Sequence, residues 1–204
     1  LCSIASLPKL ANLEITSTDI STKALAALCS IRSLHNVGLF NCKIHSDANR
    51  ILPSSNLNEV ALNYSTGITP PILLAFGKSN LSNLALEGQN LSAEHLQAIS
   101  KIPKLQYLNL TKANFNPDDL SILTSATNLK TLKLNEIRET PDNLFKAISK
   151  LKLADLHLDE TTITDKQLFS LLKMRTLQQI HLENCPKISS QACGEFQNSF
   201  RSIW

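Results

Sequence analysis

Residues 153–176 read LADLHLDETTITDKQLFSLLKMRT, and the order of residue types within them decides the fold. Leu153, Leu156 and Leu158 come first, followed by Thr161, Ile163 and a polar Thr164-Asp165 pair, and then by Leu168, Leu171 and Leu172. The same order recurs along the chain in units that start at Leu10, Leu34, Leu57, Leu81, Leu105, Leu129, Leu153 and Leu177. Successive units lie 24 residues apart, with a single interval of 23 between Leu34 and Leu57. A fixed period of about 20 to 50 residues is the mark of a solenoid. Such a chain is one stack, because each unit covers the apolar face of its neighbour. One domain over residues 1–204 is therefore expected.

Each unit opens with apolar residues at offsets 0, 3 and 5 from its first leucine, as in LSNLAL, LQYLNL and LKTLKL. The alternation at offsets 3 and 5 has the period of a strand. One strand per unit at a constant offset predicts a parallel, in-register sheet, with the rest of each unit forming the crossover. Those crossovers read as short helices. Thr69-Pro70, Asn116-Pro117 and Thr140-Pro141 each place a capping side chain before a proline, which suits the first helical position. Thr164 and Gln167 have capping-box spacing. Apolar residues follow at helical intervals: Leu96, Ile99 and Ile102, then Leu120 and Leu123, then Leu168, Leu171 and Leu172. Units 4 to 7 read as regular strand–helix pairs. Unit 2, with Leu52-Pro53-Ser54-Ser55, and unit 3, with Gly67 and Pro70-Pro71, predict a bend or a looser convex face.

The ends are irregular. Residues 1–9 carry Leu1, Ile4 and Leu7 at the offsets that precede a unit, so they read as the tail of an earlier repeat or as a cap. An apolar end without a polar cap predicts either a chain cut from something longer or an irregular cap ahead of it. Residues 197–204 are too few for another unit, and Phe200, Ile203 and Trp204 are expected to fold over the last layer.

Composition agrees with thin stacked layers. Hydrophobic content of 43% supplies a core, and with only 5% aromatic residues leucine and isoleucine must fill it. The five cysteines (Cys2, Cys29, Cys42, Cys185 and Cys193) are odd in number and form no CxxC pair, which favours reduced thiols in a reducing compartment. No apolar run approaches the length of a membrane span.

The L-x-x-L-x-L core, followed at offset 8 by Thr18, Cys42, Ser65, Thr161 or Cys185, resembles the leucine-rich repeat. The resemblance covers essentially the whole chain. It implies an α/β solenoid, a right-handed arc with a concave parallel sheet of about eight short strands and short helices on the convex side. It also implies that offset-8 side chains bond backbone groups in the turn after each strand. Gln89, Ala113 and Ile137 depart from the pattern there, which predicts a broken side-chain ladder in the middle. Ile163-Thr164-Asp165 resembles bacterial 24-residue repeats, whereas Asn184-Cys185-Pro186-Lys187-Ile188 resembles cysteine-containing repeats of F-box-type proteins.

Chemistry-bearing motifs are not found. The five glycines form neither a dinucleotide nor a phosphate loop, no G-x-S-x-G elbow occurs, and no cysteine has an activating context. Function is expected on the concave face, from side chains at offsets 2, 4 and 6. Those columns hold Glu14, Glu59, Glu87, Asp155, Asp159 and Glu183 against a single Lys133, although the chain carries a formal charge of +3. The candidate partner-binding residues are Phe40, Glu59, Glu87, Tyr107, Lys133, Asp155, His157, Asp159, His181 and Glu183. Phe40 and Tyr107 are aromatics of the kind that anchor interfaces, unless each only covers a neighbouring strand. His157 and His181 share an offset in adjacent units, about 4.8 Å apart. Histidine and carboxylate at that spacing can in principle hold zinc, but a polar patch is the simpler reading, so neither metal nor cofactor is expected.

The favoured reading is a non-catalytic protein-interaction module or scaffold, binding a basic or polar protein surface on its acidic concave face. The resemblance implies settings such as bacterial effectors or substrate adaptors, in the cytoplasm or delivered into a host cytosol. Two alternatives stay open: the recognition segment of a larger enzyme, such as a ubiquitin ligase or kinase-linked protein, and a secreted or surface recognition domain, against which the unpaired cysteines argue. Nucleic acid is disfavoured because the basic residues are scattered outside the concave face without an aromatic platform.

Overall fold

A computed structural model of the protein describes residues 9–45 and 56–202. Each strand that the leucine pattern predicts is present and pairs in parallel with the strand one unit later. The eight-stranded sheet runs β1 (Asn12–Thr16), β3 (Asn36–Phe40), β5 (Glu59–Ala61), β6 (Asn83–Ala85), β7 (Tyr107–Asn109), β8 (Thr131–Lys133), β9 (Asp155–His157) and β10 (Gln179–His181). Register follows the repeat, with Asn12 opposite Asn36, Glu59 opposite Asn83, and His157 opposite His181. The carbonyl at offset 1 of each unit accepts two N–H groups from the next, as Lys130 does from Ala154 and Asp155. A smaller ladder pairs β2 (Asp19–Ser21) with β4 (Lys43–His45) beyond the turn.

The convex layer holds α1 (Thr22–Ser30), α2 (Pro70–Phe76), α3 (Ala93–Ser100), α4 (Asp142–Ile148), α5 (Asp165–Ser170) and α6 (Ser190–Ser202). In unit 5 the expected α-helix is instead a 3₁₀ helix over Pro117–Ser125. Leu120 and Leu123 are its buried residues, whereas Thr124, one α-helical turn beyond Leu120, is exposed. Apolar residues spaced only three apart form a continuous edge in a 3₁₀ helix, so this unit gains nothing from widening to α geometry.

The helix starts follow the sequence at three of four places, although Thr69 makes no side-chain capping bond. Thr69 and Asn116 stand at helix starts before a proline, and Asn116 accepts the Asp118 N–H at 3.2 Å. The Thr164 N–H donates to Gln167 Oε1 at 3.0 Å. Thr140 is the exception, because α4 begins one residue late with Pro141 at the cap position. The Thr140 hydroxyl is turned sideways onto the Thr162 hydroxyl at 2.7 Å, and its carbonyl accepts the Gln167 amide at 2.8 Å. Pro70-Pro71 start a helix whose Ile72, Leu73, Ala75 and Phe76 are buried, so unit 3 has no loosened convex face. The irregular stretch of unit 2 and the N-terminal tail lie outside the described residues, as do Ile203, Trp204 and the side chain of Phe200.

The core is a column of leucines. Leu84, Leu86, Leu108, Leu110, Leu132, Leu134, Leu156 and Leu158 are all fully buried. The end strands differ, with Leu13 and Ile15 at one edge and Ile180 and Leu182 at the other only half-buried. Among the described residues, each of them has a neighbouring unit on one side only. Cys29 and Cys42 are both buried.

The turn after each strand repeats a backbone state that the leucine pattern does not disclose. At offset 7 every unit has positive φ: Ser17, Asn41, Tyr64, Gly88, Lys112, Glu136, Glu160 and Asn184 lie between 50° and 71°. Seven of the eight are not glycine, and each pays a steric cost of about 1–2 kcal/mol in this region. The twist aims the offset-7 N–H at the offset-6 carbonyl of the next unit, as in Glu136 to Asp159 and Glu160 to Glu183.

At offset 8 the polar ladder reaches one unit further than expected. Ser65 Oγ donates to the Leu39 carbonyl at 2.9 Å, and Cys185 Sγ to the Leu158 carbonyl at 3.2 Å. Gln89 does not break the ladder. Its longer side chain sends Nε2 to both the Leu62 and Ser65 carbonyls at 2.8 Å. Only Ala113 and Ile137 interrupt it, and both are buried as apolar filling.

Three stability measurements test this account. Replacing the exposed Glu160 by glycine should be neutral or stabilising by up to about 1 kcal/mol in denaturant unfolding, because strain relief outweighs the added freedom of the unfolded chain. Glu160→Val should cost about 1 kcal/mol or more. Gln89→Ala should cost about 1–3 kcal/mol, since it strips two interior carbonyls of their donor.

Candidate functional site

Strand alternation sends offsets 2, 4 and 6 to the face opposite the leucines, and all ten candidate residues lie there or at its rim. The structure divides them into groups engaged within the protein and groups left free.

At the N-terminal end, Phe40 is half-buried and its ring folds back over Gly38. A Cβ placed on Gly38 would stand 2.5 Å from Phe40 Cε2. Glycine at that position is what lets the ring lie flat on its own strand. Phe40, Asn12, Glu14, Asn36 and Glu59 rim a shallow recess of about 190 Å³. Glu14 and Glu59 are exposed.

In the middle, Tyr107 is half-buried, with Lys133 Nζ 5.7 Å from its ring centroid. The lysine is thereby drawn towards the aromatic face. Glu87 is also engaged, since its carboxylate accepts the Tyr64 hydroxyl at 2.6 Å. That bond raises the tyrosine's pKa above the usual phenol value, because it favours the protonated hydroxyl beside a carboxylate. Tyr64 is 47% exposed and stands next to the candidate surface, yet the sequence reading passed over it. It occupies offset 7, beyond the strand's alternation. The one available signal was its place in line with Gly88 of the following unit, whose missing Cβ leaves room for the ring.

The densest charged step is at the C-terminal end. Asp155 lies between two histidines: Oδ2 is 3.1 Å from His157 Nε2, and Oδ1 is 3.4 Å from His181 Nε2. The imidazoles stack with centroids 3.9 Å apart and planes within 4°. Asp155 Oδ1 is buried and makes no hydrogen bond. Asp159 serves the backbone, taking the Glu183 N–H on Oδ1 at 2.8 Å and Asn135 Nδ2 on Oδ2 at 3.0 Å. Asn135 in turn accepts the Asp159 N–H at 3.0 Å. Asp159 therefore works chiefly as a strap between units, and Glu183 is left exposed.

Burial pushes the His157 pKa below the ordinary imidazole value, against the raising influence of Asp155 and with smaller lowering contributions from His181 and Lys133. The unfolded chain, with an ordinary imidazole, therefore binds more protons near neutrality than the folded one. Stability from this group is full above the ordinary value of about 6.5 and declines as pH falls through the depressed folded value. In unfolding curves taken with a chelator present, His157→Gln should reduce the stability lost between about pH 7 and pH 5.

No protein-family model matches the chain, and no curated protein does. Solved structures do. An internalin (inlF) of Listeria monocytogenes strain 4b F2365 aligns at 24% identity with a TM-score of 0.56, over 81% of this chain and 45% of its own. Internalin C2 of the same strain aligns at 17% identity with a TM-score of 0.53, over 84% of this chain and 80% of its own. This chain thus spans less than half of the first of these. The likeness shows a shared fold, the leucine-rich-repeat arc with its parallel sheet. Among the described residues, no helix is long and apolar enough to cross a membrane.

Proposed function

We propose that this leucine-rich-repeat protein is a protein-interaction module without chemistry of its own, whose partner presents a basic or polar surface to the concave sheet face. The observation that carries the reading is the charge of that face: six carboxylates stand against one lysine, on a chain whose formal charge is +3. A stack of repeats offers an extended curved surface of the kind that repeat proteins use for binding. Complementary charge across such a surface steers encounter and selects partners. A phosphate backbone would meet repulsion on the same face.

The interior bonding narrows which residues meet the partner. Glu14, Glu59 and Glu183 are exposed, whereas Glu87, Asp155 and Asp159 already have partners in the fold. Tyr107 and the Phe40 recess supply the apolar contact. Tyr107→Ala should weaken the complex while moving the melting temperature little, which separates an anchor from a ring that only covers its neighbours.

Affinity capture with the triple variant Glu14→Lys, Glu59→Lys, Glu183→Lys tests the reading, with Lys101→Glu on the convex side as control. The expected outcome is binding at least about tenfold weaker in the triple variant, unchanged in the control, and falling with added salt. A complex indifferent to both charge reversal and salt would overturn the proposal.

A further inference from the structure

We propose that Asp155, His157 and His181 form a binding site for a zinc ion on the concave face. Two adjacent, in-register strands place the three side chains together, with His157 directly opposite His181 and Asp155 one same-face position earlier on β9. One potential ligand atom from each of the three lies within 4.8 Å of the other two. Two imidazole nitrogens and one carboxylate oxygen are a donor set that zinc takes, leaving a fourth position for water. Hard cations such as calcium prefer all-oxygen surroundings and do not suit it.

A second observation points the same way. Asp155 Oδ1 is buried without a hydrogen bond, although a buried carboxylate oxygen normally finds a donor. Its contact with His181 Nε2 at 3.4 Å, beside that of Oδ2 with His157 Nε2 at 3.1 Å, shows both imidazoles turned towards one carboxylate. Of the two nearby charges, Asp159 favours a cation at this position and Lys133 opposes it. Asp159 is tied to the backbone of the next unit, and Lys133, opposite His157 in the register, has its ammonium 5.7 Å from the Tyr107 ring centroid.

Stacked parallel rings cannot both aim a lone pair at one ion, so loading requires one imidazole to turn. The His181 side chain is 42% exposed and has room to do so, whereas His157 at 14% and Asp155 at 22% are held in place. The bound state thus keeps a fixed Asp155–His157 pair and recruits His181. A partner's donor side chain that replaced the water would make docking zinc-dependent. That extension rests on the interaction reading, but zinc binding by the protein alone does not, so either can fail without the other.

Calorimetric titration of zinc chloride into the chelator-stripped, full-length chain tests the site. One equivalent should bind, with the melting temperature rising on addition. His181→Ala and Asp155→Asn should each weaken binding at least tenfold, and calcium should give no heat. His181 is half-exposed, so its variant should keep the wild-type melting temperature in chelator, which separates ligand loss from misfolding. The Cys185→Ser, Cys193→Ser double variant should bind as the wild type does. Absence of zinc binding by the wild type, equal affinity in His181→Ala, or loss of binding in the cysteine variant would each overturn the assignment.

Discussion

The fold depends on one constraint, the fixed backbone register between residues a repeat apart. Every strand hands its N–H groups to the following or preceding unit, and the left-handed residue at offset 7 extends that exchange into the turn. At six of the seven non-glycine positions the strain is offset because the twist brings an N–H onto a carbonyl of the next unit; the seventh, Asn184, lies in the last unit. A backbone hydrogen bond nets about 0.5–1.5 kcal/mol, while an interior carbonyl left bare costs about 1–3 kcal/mol. The two together offset an αL cost of about 1–2 kcal/mol. The same balance accounts for the variety of residues at offset 7: the backbone is what matters, and the side chain is free to vary.

That freedom separates architecture from surface. Leucines at offsets 3 and 5 are interchangeable between units, and so are the turn geometries. The concave columns are not. Asp159, Asn135 and Asn63 spend side-chain oxygens on the N–H groups of neighbouring strands, which stitches successive units together from the concave side. A concave carboxylate is thus either a strap or a free ligand-facing group, and formal charge alone does not say which. Counting six acids on this face overstates what a partner meets; the exposed set is Glu14, Glu59 and Glu183.

The fold was legible because a 24-residue repeat multiplies a weak signal eight times. LQYLNL alone is an ambiguous apolar run, but in register with LSNLAL and LKTLKL it fixes strand, direction and neighbour at once. What escaped depends on single side chains. The reach of Gln89 to two carbonyls follows from its length, which a pattern of small polar residues at offset 8 does not anticipate. Thr140 looked like a cap, but its hydroxyl found Thr162 in the next unit, a contact that no local motif contains. The 3₁₀ helix of unit 5 was written in the spacing of Leu120 and Leu123, although the same two leucines also open an α-helical pattern. Placement of the candidate residues on one face was legible from strand alternation; which of them are already bonded was not, because those bonds run between units.

The step at Asp155, His157 and His181 differs in kind from the rest of the face. Elsewhere several polar side chains on or beside the concave face end on backbone groups or on a neighbour of different character, such as Tyr64 on Glu87 or Lys112 on Glu136. Here two imidazoles of the same type lie face to face, with burial favouring the neutral form of His157 while a carboxylate stands beside both. Two neutral rings leave the carboxylate's charge uncompensated, and two protonated rings repel each other at 3.9 Å. Among the described residues this is the place where the fold leaves polar atoms close together without settling their bonding, and a divalent ion is one species that would settle it.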